Sequence, residues 1–390
     1  MQSSRACNTA YATAHATTLK TKQFLLVIFF VGIAIFLINS GDPSYELPSS
    51  VALMGNLHGN DEGGIITAAA AAAAAGITEQ TYCAVGIWNE QTHDLDENPN
   101  CTASSKLLHM ERPETQKRLT YMLLYYNNHK QLAHQVQAWR NFSQAALDQI
   151  QFVIVDDGST LGHAAADLFA VNREFIEGLD VVVYKIDQDL AWNIGGARNL
   201  GFYMANTEWI FMNDADIEVK SDTMDFVTNL LDYKPQQNGT TVQEPVYLYF
   251  KRWREAGFKN HPAVMLIKRA HYWMLGGCDE DFVGHYGQTD PHFRLKVKLD
   301  KTLHGYTTED LMNEQKVSPL YEMPDSLPCP SGMHCLEPFV GQSPSRDTKP
   351  NKDLIKKKRK IGKWSNQVLR FTWKRSTWES SWWQNILSWF

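Results

Sequence analysis

The sequence predicts an α/β domain built on a mostly parallel sheet, carried behind an N-terminal transmembrane helix. Three features carry that expectation. Between Thr120 and Met212, short apolar runs alternate with helical stretches of about 10–15 residues, the signature of β-α-β units. Two of those runs stop at acidic clusters, Asp156-Asp157 and Asp214-Ala215-Asp216. Finally, Phe24 to Ile38 is fifteen residues without a polar side chain. At 390 residues the chain exceeds one ordinary domain, and with 44% apolar and 21% charged residues it is not wholly disordered. A net charge of −6 argues against a dedicated nucleic-acid binder.

Taken in order, residues 1–22 read as a cytoplasmic tail and 23–40 as a signal anchor. Arg5, Lys20 and Lys22 precede the apolar run and no acid occurs before Asp42, which places the N-terminus in the cytoplasm. The run is short for a span and long for a signal-peptide core. A cleaved signal peptide and a buried core helix are therefore the rival readings. Both membrane readings export the rest of the chain, and sequons at Asn100, Asn141 and Asn238 agree with that. Six cysteines are too few for a disulfide scaffold and show no C-x-x-C zinc spacing. Cys329 and Cys335 are close enough to bridge a Pro-Ser-Gly turn. Residues 41–115, with eight consecutive alanines at 68–75, read as a low-complexity stem.

Residues 116–315 hold the patterned domain. Strands are predicted at 120–126, 151–155, 181–186 and 209–212, and helices at 130–146, 164–177 and 194–205. In such sheets ligands lie beyond the carboxyl ends of the strands, where both acidic clusters fall. Four Asp-x-Asp pairs occur: 94/96, 187/189, 214/216 and 279/281. Those at 187/189 and 214/216 follow strands, so spacing alone does not choose between them. Two carboxylates at a strand end suit a hard divalent cation that also holds a diphosphate. Asp156-Asp157-Gly158-Ser159-Thr160 either accepts from a nucleobase or ribose or caps the next helix.

Four stretches settle these choices by likeness: Tyr125-Tyr126-Asn127, VDDGST at 155–160, WNIGGARNLGFYMA at 192–205 with MNDAD at 212–216, and GGCDEDFVGHYGQTDPHFR at 276–294. Residues 118–300 resemble the inverting glycosyltransferases of the GT-A fold, especially family 2 and the β-1,4-galactosyltransferase group. The resemblance implies a Rossmann-like sheet flanked by helices, a nucleotide-sugar donor and Mn²⁺ or Mg²⁺. By the same likeness, Tyr126, Asp156 and Asp157 line the nucleotide, and Arg198 and Asn199 stand near the donor. Asp214 and Asp216 hold the metal, with His304 as a third ligand and His285 or His292 as weaker candidates. Asp279, Glu280 and Asp281 lie on the acceptor side, and Asp290 is the base. The bland alternatives are a helix-surface salt bridge for Arg198 and an N-cap for Asp290 ahead of Pro291. Thr289 replaces the acid usual before the base. Thr308-Glu309-Asp310 resembles the base motif of polymerising members, but their Gln-x-x-Arg-Trp signature is absent, so single-sugar transfer is expected.

Residues 316–350 form a Pro-rich linker and 351–390 a basic, Trp-rich tail. That tail carries ten Lys and Arg against two acids, which leaves about −14 on the rest, and six of the twelve tryptophans. A membrane interface, a sugar-binding surface and packing onto the domain all suit it. The expected protein is a type II membrane glycosyltransferase, with its catalytic domain in the Golgi or ER lumen. It would move a sugar from a UDP-sugar to a saccharide or glycoprotein acceptor. The alternatives are a non-catalytic glycan-binding protein of the same fold and a nucleotidyltransferase, which would need a Gly-rich loop where Tyr126-Asn127-Asn128-His129 stands.

Overall fold

A computed structural model describes residues 83–378, except 233–235, 238–239, 242–246, 255–256, 301–304, 308–317, 325 and 339–344. The signal anchor at 23–40, His304, Thr308-Glu309-Asp310, Asn238 and Trp382, Trp383 and Trp389 lie outside the described residues. Among the described residues no helix is long and apolar enough to cross a membrane.

The central sheet has eight strands. Four form a contiguous parallel run: β3 (Leu119–Tyr125), β4 (Ile150–Asp156), β5 (Val181–Ile186) and β6 (Trp209–Asp214), in the order β6-β3-β4-β5. These strands are buried on both faces, so they read as continuous apolar runs. Period two still sorts their side chains. Tyr121, Leu123, Phe152, Ile154 and Phe211 join one core, while Met122, Val153, Val155, Ile210 and Met212 join the other.

Two helices from the first half of the chain cover the first face. Helix α2 (His129–Arg140) contributes Leu132, Val136 and Trp139, and α4 (Ala165–Val171) contributes Leu168 and Phe169. On the opposite face lie α6 (Ile194–Met204), α8 (Arg269–Met274) and α9 (Thr289–Leu299), with Leu200, Phe202, Tyr272 and Phe293 in the core. Helix α6 lies very close to the sheet, since a Cβ on Gly201 would fall 2.2 Å from Met122 Sδ.

Two predicted helices are split. The stretch 130–146 breaks at Asn141, and Ser143 starts α3 (Gln144–Leu147) by accepting from Ala146 N–H at 3.1 Å. The stretch 164–177 breaks at Asn172, ahead of α5 (Arg173–Ile176). The buried Asn172 amide binds Leu168 O, His334 O and His334 N–H, so it serves the neighbouring loop instead of continuing the helix. That loop is closed by the expected Cys329–Cys335 disulfide.

Segments expected to lie outside the domain belong to it. The second disulfide, Cys83–Cys101, ties residues of the predicted stem, where β1 (Gly86–Asn89) pairs with β2 (Asp94–Glu97). Of the three readings of the basic, Trp-rich tail, packing onto the domain describes its residues up to 378. Its α10 (Lys349–Ile361) leads to β14 (Gln367–Val368), which pairs with β1, and to β15 (Trp373–Ser376), which pairs antiparallel with β5. β15 covers what would otherwise be an open sheet edge. Val368, Leu369, Phe371 and Trp373 are buried, and Trp378 packs edge-on against Phe169 at 5.7 Å. Packing thus accounts for the described tail tryptophans in place of a membrane role. Phe371→Ala is expected to cost about 3–5 kcal/mol, read by denaturant unfolding, because it empties a fully buried site between the sheet and the tail.

Candidate active site

Parallel strands bring their carboxyl ends to one edge of the sheet, and the register aligns Tyr125 with Asp156, Asp156 with Lys185, and Leu124 with Asp214. Beyond this edge lie Tyr126, Asp157, Asp189 and Asp214.

Arg198 forms the centre of the site. Helix α6 sets it beneath the strand ends, and its side chain is 1% exposed. Its guanidinium bonds Asp290 through Nη1 and Asp214 through Nη2, the latter at 3.2 Å. Those carboxylates are more open, at 22% and 29% exposure. Burial opposes the guanidinium charge, but Asp290 and then Asp214 outweigh it and hold its pKa above the ordinary value. The pairing is internal, not the surface bridge weighed from sequence. Asp290 is also not an N-cap: α9 starts at Thr289, behind the left-handed Gln288 (φ 72°), so Asp290 lies in its first turn.

Past the ends of β3 and β4, Tyr126 is 44% exposed and donates its hydroxyl to Asp189 at 3.1 Å. Burial and the Asp189 charge push its pKa up to about 12. Asp157 accepts from Asn193 Nδ2 at 2.8 Å. Loss of hydration raises its pKa to about 7; the Asn193 bond opposes this, and Asp156, Asp189 and Glu280 add to it. Gly158 (φ 76°) passes so close to the next loop that a Cβ there would fall 2.4 Å from Gln188 O. Asp189 and Asn193 are site residues that the sequence reading passed over. The signal for Asp189 was its place after a strand, shared with the 214/216 pair.

Five expected site residues are engaged elsewhere. Asp156 is fully buried and accepts from Ser159 N–H at 2.8 Å and Ala165 N–H at 2.9 Å, so it anchors the start of α4 and does not line a ligand. Asn199 is saturated by Tyr272, Cys278 and Glu280 inside the domain. The three acids expected on the acceptor side face the C-terminal segment. Glu280 accepts from Leu369 N–H at 2.7 Å and Arg370 N–H at 3.0 Å. Asp279 and Asp281 each lie 2.7 Å from Lys358 Nζ, and Asp281 also pairs with Arg370. The DED run is therefore the docking point of the basic tail, through Lys358 and Arg370. His292 is buried between Phe282 and Trp364, and burial with the Lys296 charge pushes its pKa down to about 4.

Among the described residues no group of three or more His, Cys, Asp and Glu side chains could hold a metal alone. Asp214 and the exposed Asp216, at the end of β6, offer oxygen donors only. That donor set fits Mn²⁺ or Mg²⁺ with its remaining ligands from phosphate and water.

Residues 124–272 match the model of glycosyl transferase family 2. The chain is similar to glycosyltransferases over these 149 of its 390 residues. The matched stretch starts at the end of β3, contains β4, β5, β6, Arg198 and Asp214, and ends before Asp290. Three solved structures are similar. S. aureus TarS has 14% identity and a TM-score of 0.40, over 53% of this chain and 37% of that one. Drosophila β1,4-galactosyltransferase 7, solved with xylobiose, has 13% identity and a TM-score of 0.35, over 52% and 67%. The mannosyltransferase PcManGT of Pyrobaculum calidifontis, solved with GDP-Man and Mn²⁺, has 18% identity and a TM-score of 0.35, over 50% and 57%. The alignments thus span about a third to two thirds of those proteins' lengths. No curated protein sequence matches this chain.

The raised pKa of Asp157 has a sign in stability. The folded chain holds that proton up to about pH 7, whereas the unfolded chain releases it near pH 4. Its contribution is thus present at low pH and lost as pH rises through 7. Asp157→Asn should flatten the decline in melting temperature between pH 4 and 7 relative to the unaltered protein.

Proposed function

We propose that this glycosyltransferase moves one sugar, with inversion, from a UDP-sugar to a saccharide or glycoprotein acceptor, in a metal-dependent reaction. The observation that carries this reading is Arg198, buried between Asp214 and Asp290. One charge thereby holds the residue at the donor diphosphate in register with the residue that faces the acceptor.

Asp290 takes the proton of the attacking acceptor hydroxyl at its carboxylate, a role that suits a partly open acid held in place by a guanidinium. Arg198 orients that carboxylate and is itself shielded from water. Asp214 and Asp216 would hold Mn²⁺ or Mg²⁺. When bound, the cation supplies neutralisation of the departing diphosphate. Tyr126 and Asp157 line the nucleoside, with Asp189 fixing the Tyr126 ring and Asn193 the Asp157 carboxylate. The N-terminal signal anchor, a stem and a catalytic domain in the Golgi or ER lumen belong to the same proposal. The two disulfides support an oxidising compartment.

Release of UDP from a panel of UDP-sugars, with Mn²⁺ and with EDTA, tests the reading. One donor should turn over only with metal, and Asp216→Ala should abolish it. Asp290→Asn should lower transfer by about 10²–10⁴-fold while nucleotide binding persists. Unchanged transfer in that variant would remove Asp290 from the mechanism.

A further inference from the structure

The basic helix α10 keeps a cationic face after its docking contacts are made. Its inward face is occupied: Ile355 is 6% exposed, Asn351 is 1% exposed and Lys358 is 7% exposed. Asn351 Nδ2 bonds the carbonyls of Phe282, His285 and Gly287 at 3.0, 2.7 and 2.8 Å, and Lys358 binds Asp279 and Asp281. Those bonds tie the helix to the loop that runs into Thr289 and Asp290. Outward, Lys352, Lys356, Lys357, Arg359 and Lys360 are all exposed, and Lys363 follows just past the helix. Asp353 pairs with Lys356 at 3.6 Å. The other cations have no acid partner among the described residues.

Lys352, Lys356 and Arg359 recur at i, i+4 and i+7, so with Lys360 they line one stripe. That stripe spans about 12 Å at the helical rise, too long for one small anion and suited to a chain with repeated negative groups. An anionic membrane is the rival partner. An interfacial helix buries an apolar face in the lipid. Here Ile355 is turned into the protein and Ile361, 60% exposed, stands alone near the end of the helix.

We propose that this stripe binds a polyanionic saccharide, a chain bearing carboxylate or sulfate groups, and leads it to the acceptor side of the site. The proposal rests on the reading of the chain as a glycosyltransferase. It names the acceptor class through charge complementarity and the bonds from α10 to the loop before Asp290.

The test is binding of the full chain to heparin, with dextran, duplex DNA and phosphatidylserine vesicles alongside. One variant combines Lys352→Gln, Lys356→Gln, Arg359→Gln and Lys360→Gln. A charge-matched control combines Lys106→Gln, Lys259→Gln, Lys298→Gln and Arg375→Gln, exposed cations on other elements. The stripe variant should lose about tenfold or more in heparin affinity and show a shallower salt dependence, while the control stays near the unaltered chain. Equal losses in both variants would reduce the effect to net charge and overturn the proposal. So would absent heparin binding, or tighter binding to vesicles or DNA than to heparin. UDP release is measured on the same proteins. A chain that binds heparin through the stripe but turns over no donor would sink the transferase reading and leave the binding surface standing.

Discussion

A single buried cation organises the edge where the chemistry is placed. Arg198 comes from the middle of α6, which lies flat enough on the sheet for Gly201 to sit against Met122. From there its guanidinium reaches Asp214 at the end of β6 and Asp290 at the start of α9, elements with no direct chain connection. A buried guanidinium is costly unless paired, and its removal would leave two carboxylates without a counter-charge. The positions of β6, α6 and α9 are therefore coupled through one side chain. That coupling keeps Asp214 and Asp290 in a common frame.

A second electrostatic junction stands behind the first. Asp279, Glu280 and Asp281 take up Lys358, Arg370 and the backbone N–H groups of Leu369 and Arg370. The loop at 278–281 is thus held from outside by the C-terminal segment and from inside by Asn199, which bonds Cys278 and Glu280. Left-handed residues mark the loops beyond the strand ends: Asn127 after β3, Trp192 after β5 and Gln288 before α9 all have positive φ. Such backbone persists only where the surroundings over-determine it, a pattern of functional edges. The C-terminal segment also supplies β15 to the sheet, so loop geometry and sheet-edge protection depend on the same stretch from Lys349 to Ser376.

The central strands were legible in the sequence because two-sided burial leaves an apolar run that few other structures require. Tyr126, Asp157, Arg198, Asp214 and Asp290 were legible as motif residues, and the structure gathers them at one edge. The motif did not reveal which members touch a ligand. Asp156 is adjacent to Asp157 and chemically identical, yet strand alternation turns it inward, where two N–H groups take up its oxygens. The same holds for Asn199, which lies one residue from Arg198 and faces the opposite loop.

What the sequence alone determined is local and periodic: the α/β class, the strand–helix order and the acidic strand ends. What only the tertiary structure decided is which charge meets which. The basic tail and the DED loop are about eighty residues apart, and nothing local in either marks the other as its partner. Pairing across that distance depends on where the sheet carries each segment, and so did the assignment of the tail to the domain core. Periodicity reports how a segment faces its immediate neighbours; long-range ion pairs are set by the whole chain's path.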